Sequence, residues 1–192
     1  MDNRLFWNDV AKYGLMLGLV MGASKIFEQS LVIYGGVINF AGWVLVEWVV
    51  FAVLFFAILY RATKRRAATI DPKLGFSYAQ GVNYMMLVSA FAAVPVACIY
   101  YVYINSIVGY DNYVEALIAV VISAAELQPM NSSTADMIEM LVDQLREQPQ
   151  ASIFSTLFST IFQYLFAGLF AGLILAGYTK RKAEIFKTDD EL

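Results

Sequence analysis

Hydrophobic residues fall into four long runs along the chain, and shorter polar stretches separate them. The runs at 37–60, 78–107 and 153–178 are each long enough to cross a bilayer, because about 20 apolar residues span its hydrocarbon core. The first run, at 10–34, has the same length, although a few polar residues interrupt it. The pattern predicts an all-α integral membrane protein with four transmembrane helices in a single domain over 1–192.

Charged residues are segregated between the runs in a way that predicts an orientation. Basic residues cluster in "YRATKRRAATIDPK" at 60–73 and in "TKRK" at 179–182, whereas the segment 108–152 carries seven acidic residues and a single arginine. Short connections rich in Lys and Arg stay in the cytoplasm. We therefore expect both termini inside and 108–152 on the extracytoplasmic side.

The acidic segment 108–152 contains two predicted helices. The apolar stretch 114–125 is too short to span, so it is typical of an interfacial or re-entrant helix. Further on, apolar residues recur at helical spacing before Pro149, which favours an amphipathic helix. These residues are Met137, Ile138, Leu141, Val142 and Leu145.

The polar residues of the first run share a face with its glycines. At 100° per residue, six positions fall within one arc of roughly 120°. They are Gly14, Gly18, Gly22, Lys25, Glu28 and Gln29. Because small residues let a second helix approach closely, this face is expected to point into the bundle. Lys25 and Glu28 are three residues apart and can pair.

The second run places Glu47 near the middle of the membrane, and Asn39, Trp43 and Glu47 recur every four residues on one face. Lys25 lies at a similar depth, so a Lys25–Glu47 pair is a second arrangement. Ionisable residues at this depth cost at least about 2.5–3.5 kcal/mol each on insertion scales. They are therefore paired for structural reasons or used in transport, and the pattern leaves both interpretations open. We treat Lys25, Glu28, Gln29, Asn39 and Glu47 as a candidate intramembrane polar cluster.

The third and fourth runs carry further patterns. Pro95 lies inside the third, and the tyrosines at 100, 101 and 103 near its end suggest an aromatic belt at the membrane interface. In the fourth, two sets of residues recur every four positions: the small residues Gly168, Gly172 and Ala176, and the polar residues Ser155, Ser159 and Gln163. We expect one set to pack inside the bundle and the other to face outward.

Composition narrows the function classes. The 192 residues are 60% hydrophobic and 15% charged, against about 45–50% and 25% in soluble domains. There is no His and only one Cys, Cys98, which excludes His-based general base catalysis, Cys/His zinc sites and intrachain disulfides. The basic clusters lack the interleaved aromatics that stack on bases, so nucleic acid is not an expected partner. We expect no cofactor and no enzymatic activity.

Several segments together resemble a known family. They are the glycine-rich "GLMLGLVMGASK" of the first run, "LGFSYAQGVNY" leading into the third, and "YTKRK" after a Gly-rich last run. With the basic connection and the acidic segment, they resemble the bacterial domain-of-unknown-function family 4199, small four-span inner-membrane proteins. The resemblance covers about 10–182. It implies a non-enzymatic protein of the bacterial inner membrane, with no functional residue to carry over.

Two functions remain open at this level. The first is a scaffold or accessory subunit that binds the bilayer and another membrane protein or a second copy of itself. The family resemblance implies a glycosyltransferase as that partner, and hence a role beside polyprenyl-phosphate sugar transfer. The alternative is a small transporter or flippase component that uses Lys25, Glu28 and Glu47.

Overall fold

The computed structural model describes residues 3–127 and 132–183, with the side chains of 3, 37–41 and 132–133 outside the description. Within these described residues the chain forms six α-helices and one π-helical turn. They are α1 (Asn3–Tyr34), α2 (Gly36–Thr69), α3 (Tyr78–Val102), the π-helical turn (Tyr103–Val108), α4 (Tyr110–Glu126), α5 (Ser132–Glu147) and α6 (Ile153–Thr179).

Four of these helices are long and apolar enough to cross a membrane, as the four hydrophobic runs predict. The spans are Arg4–Tyr34, Gly42–Thr69, Tyr78–Val108 and Ile153–Thr179. Helix α3 is central, since it packs along both α1 and α6, whereas α2 packs mainly on α1. The core therefore forms along α3, where Met85, Val88 and Ala92 are fully buried.

Helix α1 approaches α3 closely because glycines line its inner face. A Cβ added at Gly14 would lie 2.5 Å from the Cβ of Phe91, and one at Gly18 would lie 2.6 Å from the carbonyl oxygen of Ala92. A Cβ at Gly22 would meet Ile99 at 2.5 Å. These contacts join helices within one chain, and they leave no space for larger residues.

Helix α6 packs antiparallel on another face of α3 through the same kind of surface. A Cβ at Gly168 would lie 2.6 Å from the hydroxyl of Ser89, and one at Gly172 would lie 3.0 Å from the Cα of Val82. Ala176 is fully buried beside Gly81. Small residues thus line both helices that flank α3.

One end of the bundle, which we call the basic end, holds the α2–α3 connection and the residues after α6. Ser77 and Gln80 form a capping box that starts α3. Phe76 and Arg181 form an antiparallel backbone bridge, with both N–H···O distances at 2.8 Å. Gly75, with φ of +67°, lets the connection turn directly beneath Ala183, whose nitrogen would lie 2.6 Å from an added Cβ. The bridge ties the start of α3 to the end of α6.

The opposite end, which we call the acidic end, carries α4 and α5. Helix α4 covers the predicted apolar stretch and contacts α1, α2 and α5, with Ile118 and Ala125 buried. Helix α5 covers the second predicted helix, but Met137 and Leu141 of its apolar stripe are exposed. Its role as an amphipathic surface helix and the orientation of the termini stay predictions.

Two helix boundaries differ from the sequence prediction. Helix α1 begins at Asn3 rather than near residue 10, and α2 continues through the basic cluster to Thr69 rather than ending near residue 60. The predicted basic connection is therefore largely helical. Arg, Lys and Ala are all good helix formers, so a run of them extends a helix beyond its apolar part.

Candidate intramembrane binding site

Helix α1 supplies an ion pair in the half of the bundle that lies nearer the acidic end. The Nζ atom of Lys25 lies 2.6 Å from Oε2 of Glu28, and the two side chains are 38% and 16% exposed. Their spacing of three residues places them on the same helix face. Glu28 of the same helix thus neutralises the charge of the Lys25 ammonium group, while the Lys25 side chain stays partly exposed.

Glu47 on α2 is buried against α1. Its side chain is only 4% exposed, and its Oε1 atom accepts a hydrogen bond from the hydroxyl of Ser24. The other carboxyl oxygen has no partner among the described residues. The structure therefore pairs Glu47 with Ser24 and Lys25 with Glu28, rather than forming the Lys25–Glu47 pair that depth alone allowed.

Gln29 is the third polar residue of α1 that faces inward. It is 8% exposed, and its Oε1 atom has no hydrogen-bond partner within the described part of the chain. One residue on, the hydroxyl of Ser30 lies 2.7 Å from the hydroxyl of Tyr103 and joins α1 to the π-helical turn. Because Tyr103 is buried, the prediction that it belongs to an interfacial aromatic belt is wrong.

A cleft of about 320 Å³ opens between α1, α3 and α6, and we call it the polar cleft. Polar side chains dominate its lining, and all but that of Lys25 are hydroxyls or amides: Lys25, Gln29, Tyr100, Ser155, Thr156, Ser159, Thr160 and Gln163. The polar residues of α6 that recur every four positions thus face this cleft. The hydroxyl and amide groups that line the cleft can both donate and accept hydrogen bonds.

A second cleft of about 350 Å³ lies between α1, α2 and α6, and we call it the aromatic cleft. Most of its lining is apolar and aromatic, with the two carboxylates at one edge: Glu28, Glu47, Trp48, Phe51, Phe55, Phe56 and Phe170. Lys25, Gln163 and Tyr164 line both clefts. The ammonium group therefore lies where a hydroxyl-rich space meets an apolar one.

Tyr113 lies on α4, outside the membrane-spanning segments, and is a neighbour of Tyr100. Burial raises the pKa of the Tyr113 phenol far above its usual value, and the neighbouring Tyr100 phenol adds to this shift. The Tyr113 hydroxyl is protonated at physiological pH, as an ordinary tyrosine is. It remains a hydrogen-bonding group beside one wall of the polar cleft.

The structure brings together four of the five residues of the predicted polar cluster: Lys25, Glu28, Gln29 and Glu47. The side chain of Asn39 lies outside the described residues. The sequence pattern does not assign the α6 residues to this site. Their signal is the repeat of Ser155, Ser159 and Gln163 every four positions, which predicts an interface without saying what it faces.

These features define a multi-pass helical membrane protein with polar and apolar clefts between its helices. A profile of the family described as "Protein of unknown function (DUF4199)" matches residues 12–181, so the chain belongs to that family. The resemblance seen in the sequence is thereby confirmed. A search of curated proteins and of solved structures found no match to the chain.

Proposed function

We propose that this protein is a non-catalytic membrane protein that binds an amphiphile with a hydroxyl-rich head group, as a small transporter or flippase component would. The observation that carries the proposal is the position of Lys25, which lines both clefts together with Gln163 and Tyr164. A polar head and an apolar tail need such adjoining environments. Ligand sites commonly combine an apolar lining with a few placed polar groups.

The lining of the polar cleft favours a hydroxylated head over a strongly anionic one. Lys25 is already paired with Glu28 at 2.6 Å, which leaves little net positive charge for an anion. The remaining polar groups of the lining are hydroxyls and amides, which match the donor and acceptor pattern of a polyol or sugar. The unpartnered oxygen of Gln29 would accept a hydrogen bond from such a hydroxyl.

Native mass spectrometry of the protein released from nanodiscs tests this proposal. The nanodiscs contain equal amounts of a sugar-headed lipid and a phosphocholine-headed lipid with the same acyl chains. We expect the wild-type protein to retain the sugar-headed lipid preferentially, and Ser159→Leu to lose the preference because leucine fills the cleft. Phe158→Leu is the matched control, since Phe158 is the neighbouring residue and its side chain is exposed. Equal retention of the two lipids by the wild type would contradict the proposal.

A second candidate function, an accessory subunit, is favoured by the outer face of α6. Phenylalanines recur there every four residues, and each is 60–69% exposed: Phe154, Phe158, Phe162, Phe166 and Phe170. A partner protein of the bilayer, such as the glycosyltransferase that the family resemblance implies, would dock on this row, or a second copy would. Blue-native electrophoresis after Phe158→Ala and Phe162→Ala tests it. The accessory function is supported if the wild type forms a larger species that the folded variants lose. It is contradicted if the wild type migrates as a monomer and the variants migrate as it does.

A further inference from the structure

A buried cation at the basic end lacks a full set of partners. Arg66 on α2 is 7% exposed, and its Nε atom has no hydrogen-bond partner in the described ranges 3–127 and 132–183. Its Nη1 atom lies 3.5 Å from Oδ2 of Asp9, a long contact, and its guanidinium lies 5.2 Å from the ring centre of Phe6. A guanidinium has five N–H donors, and the Nε–H of Arg66 has no acceptor among the described residues.

A buried tyrosine of α3, Tyr84, lines a cavity beside Arg66. Tyr84 is 2% exposed, and its hydroxyl has no hydrogen-bond partner within the described residues. Arg66 and Tyr84 both line a cavity of about 150 Å³, which we call the Arg66 pocket. Its other lining residues are Phe6, Ile70, Phe76, Gln80 and Asn83. Gln80 and Asn83 are exposed, and they lie where the pocket meets the surface.

The lining chemistry fits an oxyanion. The guanidinium and the phenol provide donors, and the two amides at the mouth can turn to donate as well. Arg binds phosphate and carboxylate through parallel N–H···O bonds, which neither Lys nor water reproduces. Asp9 is the acid that contacts Arg66, but its side chain is 36% exposed and its contact is long, so an incoming anion can compete with it.

We propose that the Arg66 pocket binds a phosphate group, held by the Arg66 guanidinium and the Tyr84 hydroxyl. This site is separate from the two clefts around Lys25, and it goes beyond the function proposed above. The phosphate belongs either to a lipid head group or to a free anion, since both present the same oxygens. The basic residues along the end of α2 attract both sources to this end of the bundle.

Two conservative variants probe the pocket without disturbing the fold. Tyr84→Phe removes only a hydroxyl that has no partner in the described structure, so we expect it to fold as the wild type does. Arg66→Lys keeps the positive charge but removes the planar fork. Arg65→Lys is the matched control, because Arg65 is the adjacent residue on the same helix and is exposed.

The experiment measures thermal unfolding of the full-length protein in detergent while inorganic phosphate is titrated against chloride at constant ionic strength. A parallel set uses nanodiscs that contain phosphatidic acid or only phosphocholine lipids. We expect phosphate or phosphatidic acid to raise the unfolding temperature of the wild type and of Arg65→Lys. The apparent affinity should fall about tenfold in Tyr84→Phe, as expected for loss of a hydrogen bond to a charged group, and at least as much in Arg66→Lys.

The two arms identify the source of the phosphate. Stabilisation by inorganic phosphate in detergent indicates a free anion, and stabilisation only by phosphatidic acid indicates a lipid head group; both support the site. Absence of stabilisation in both arms would overturn the proposal. An equal response of the wild type, Tyr84→Phe and Arg66→Lys would overturn it too, because it would place the effect on the exposed basic surface.

Discussion

The hydroxyl of Ser24 on α1 donates a hydrogen bond to the carboxyl group of Glu47 on α2, and the contact lies among the buried residues of the bundle. The two residues belong to neighbouring helices joined by a single turn at Gly35. The bond forms because α2 is rotated about its own axis so that Glu47 faces α1. The same rotation decides which residues of α2 face the aromatic cleft and which face outward.

Removing this hydroxyl should destabilise the fold. We expect Ser24→Ala to lower the free energy of unfolding by about 1–3 kcal/mol, because it leaves a buried carboxyl group without its donor. The double variant Ser24→Ala/Glu47→Leu should recover most of the loss, since replacing both buried polar partners by apolar groups is often nearly neutral. Unfolding in mixed detergent micelles, followed by tryptophan fluorescence, measures both. A Ser24→Ala variant as stable as the wild type would show that this bond contributes nothing.

The ion pair of α1 should contribute less than the Ser24–Glu47 contact. Lys25 is 38% exposed into open clefts, so we expect Lys25→Met to cost only about 1 kcal/mol, near the upper end for exposed pairs. The double variant Lys25→Met/Glu28→Leu should restore that stability. The same micelle titration measures it, and Lys12→Met is the control, because Lys12 lies exposed on the same helix. A loss above roughly 3 kcal/mol in Lys25→Met would mean that this pair behaves as a buried one.

Two glycines of α6 provide a matched test of helix packing. A Cβ at Gly172 would lie 3.0 Å from the Cα of Val82, whereas one at Gly177 would meet nothing within 4 Å among the described residues. We expect Gly172→Ala to lower the unfolding temperature, at a cost of about 1–3 kcal/mol from overpacking. Gly177→Ala should be neutral or stabilising by up to about 1 kcal/mol, because Ala is the better helix former. Equal unfolding temperatures in the two variants would refute close packing of α6 on α3.

Accessibility of the two ends tests the predicted orientation. After Cys98→Ser removes the single native cysteine, Asp143→Cys should react with an impermeant thiol reagent in intact spheroplasts, because α5 is expected outside. Arg65→Cys should react only after lysis. Both residues are exposed in the structure, so burial does not explain a difference between them. Labelling of Arg65→Cys in intact spheroplasts would contradict the four-span orientation with both termini inside.

The sequence alone predicts the four spanning helices, because the length and apolar content of each run can be read from it directly. It does not predict which side chains pair, because depth in the membrane follows from position along a helix but the rotation of that helix does not. Depth allows a Lys25–Glu47 pair as well as the Lys25–Glu28 pair, whereas the rotation of α2 brings Glu47 to Ser24. That rotation depends on the packing of whole helices.

Arg65 and Arg66 illustrate a second limit. In the sequence they are equivalent members of one basic cluster, which predicts orientation and nothing more. In the structure Arg65 is exposed and Arg66 is 7% exposed beside a cavity. The difference arises because α2 continues as a helix through the cluster, so adjacent residues point about 100° apart.

The central position of α3 has a consequence for the biosynthesis of the protein. The surface of α3 that receives Gly168 and Gly172 extends from Val82 to Ser89, but about 50 residues separate α3 from α6. At roughly 5–20 residues per second, translation needs several seconds to deliver that partner. During this interval that surface of α3 is without its α6 partner, and the bridge from Phe76 to Arg181 forms only after α6 itself has been made.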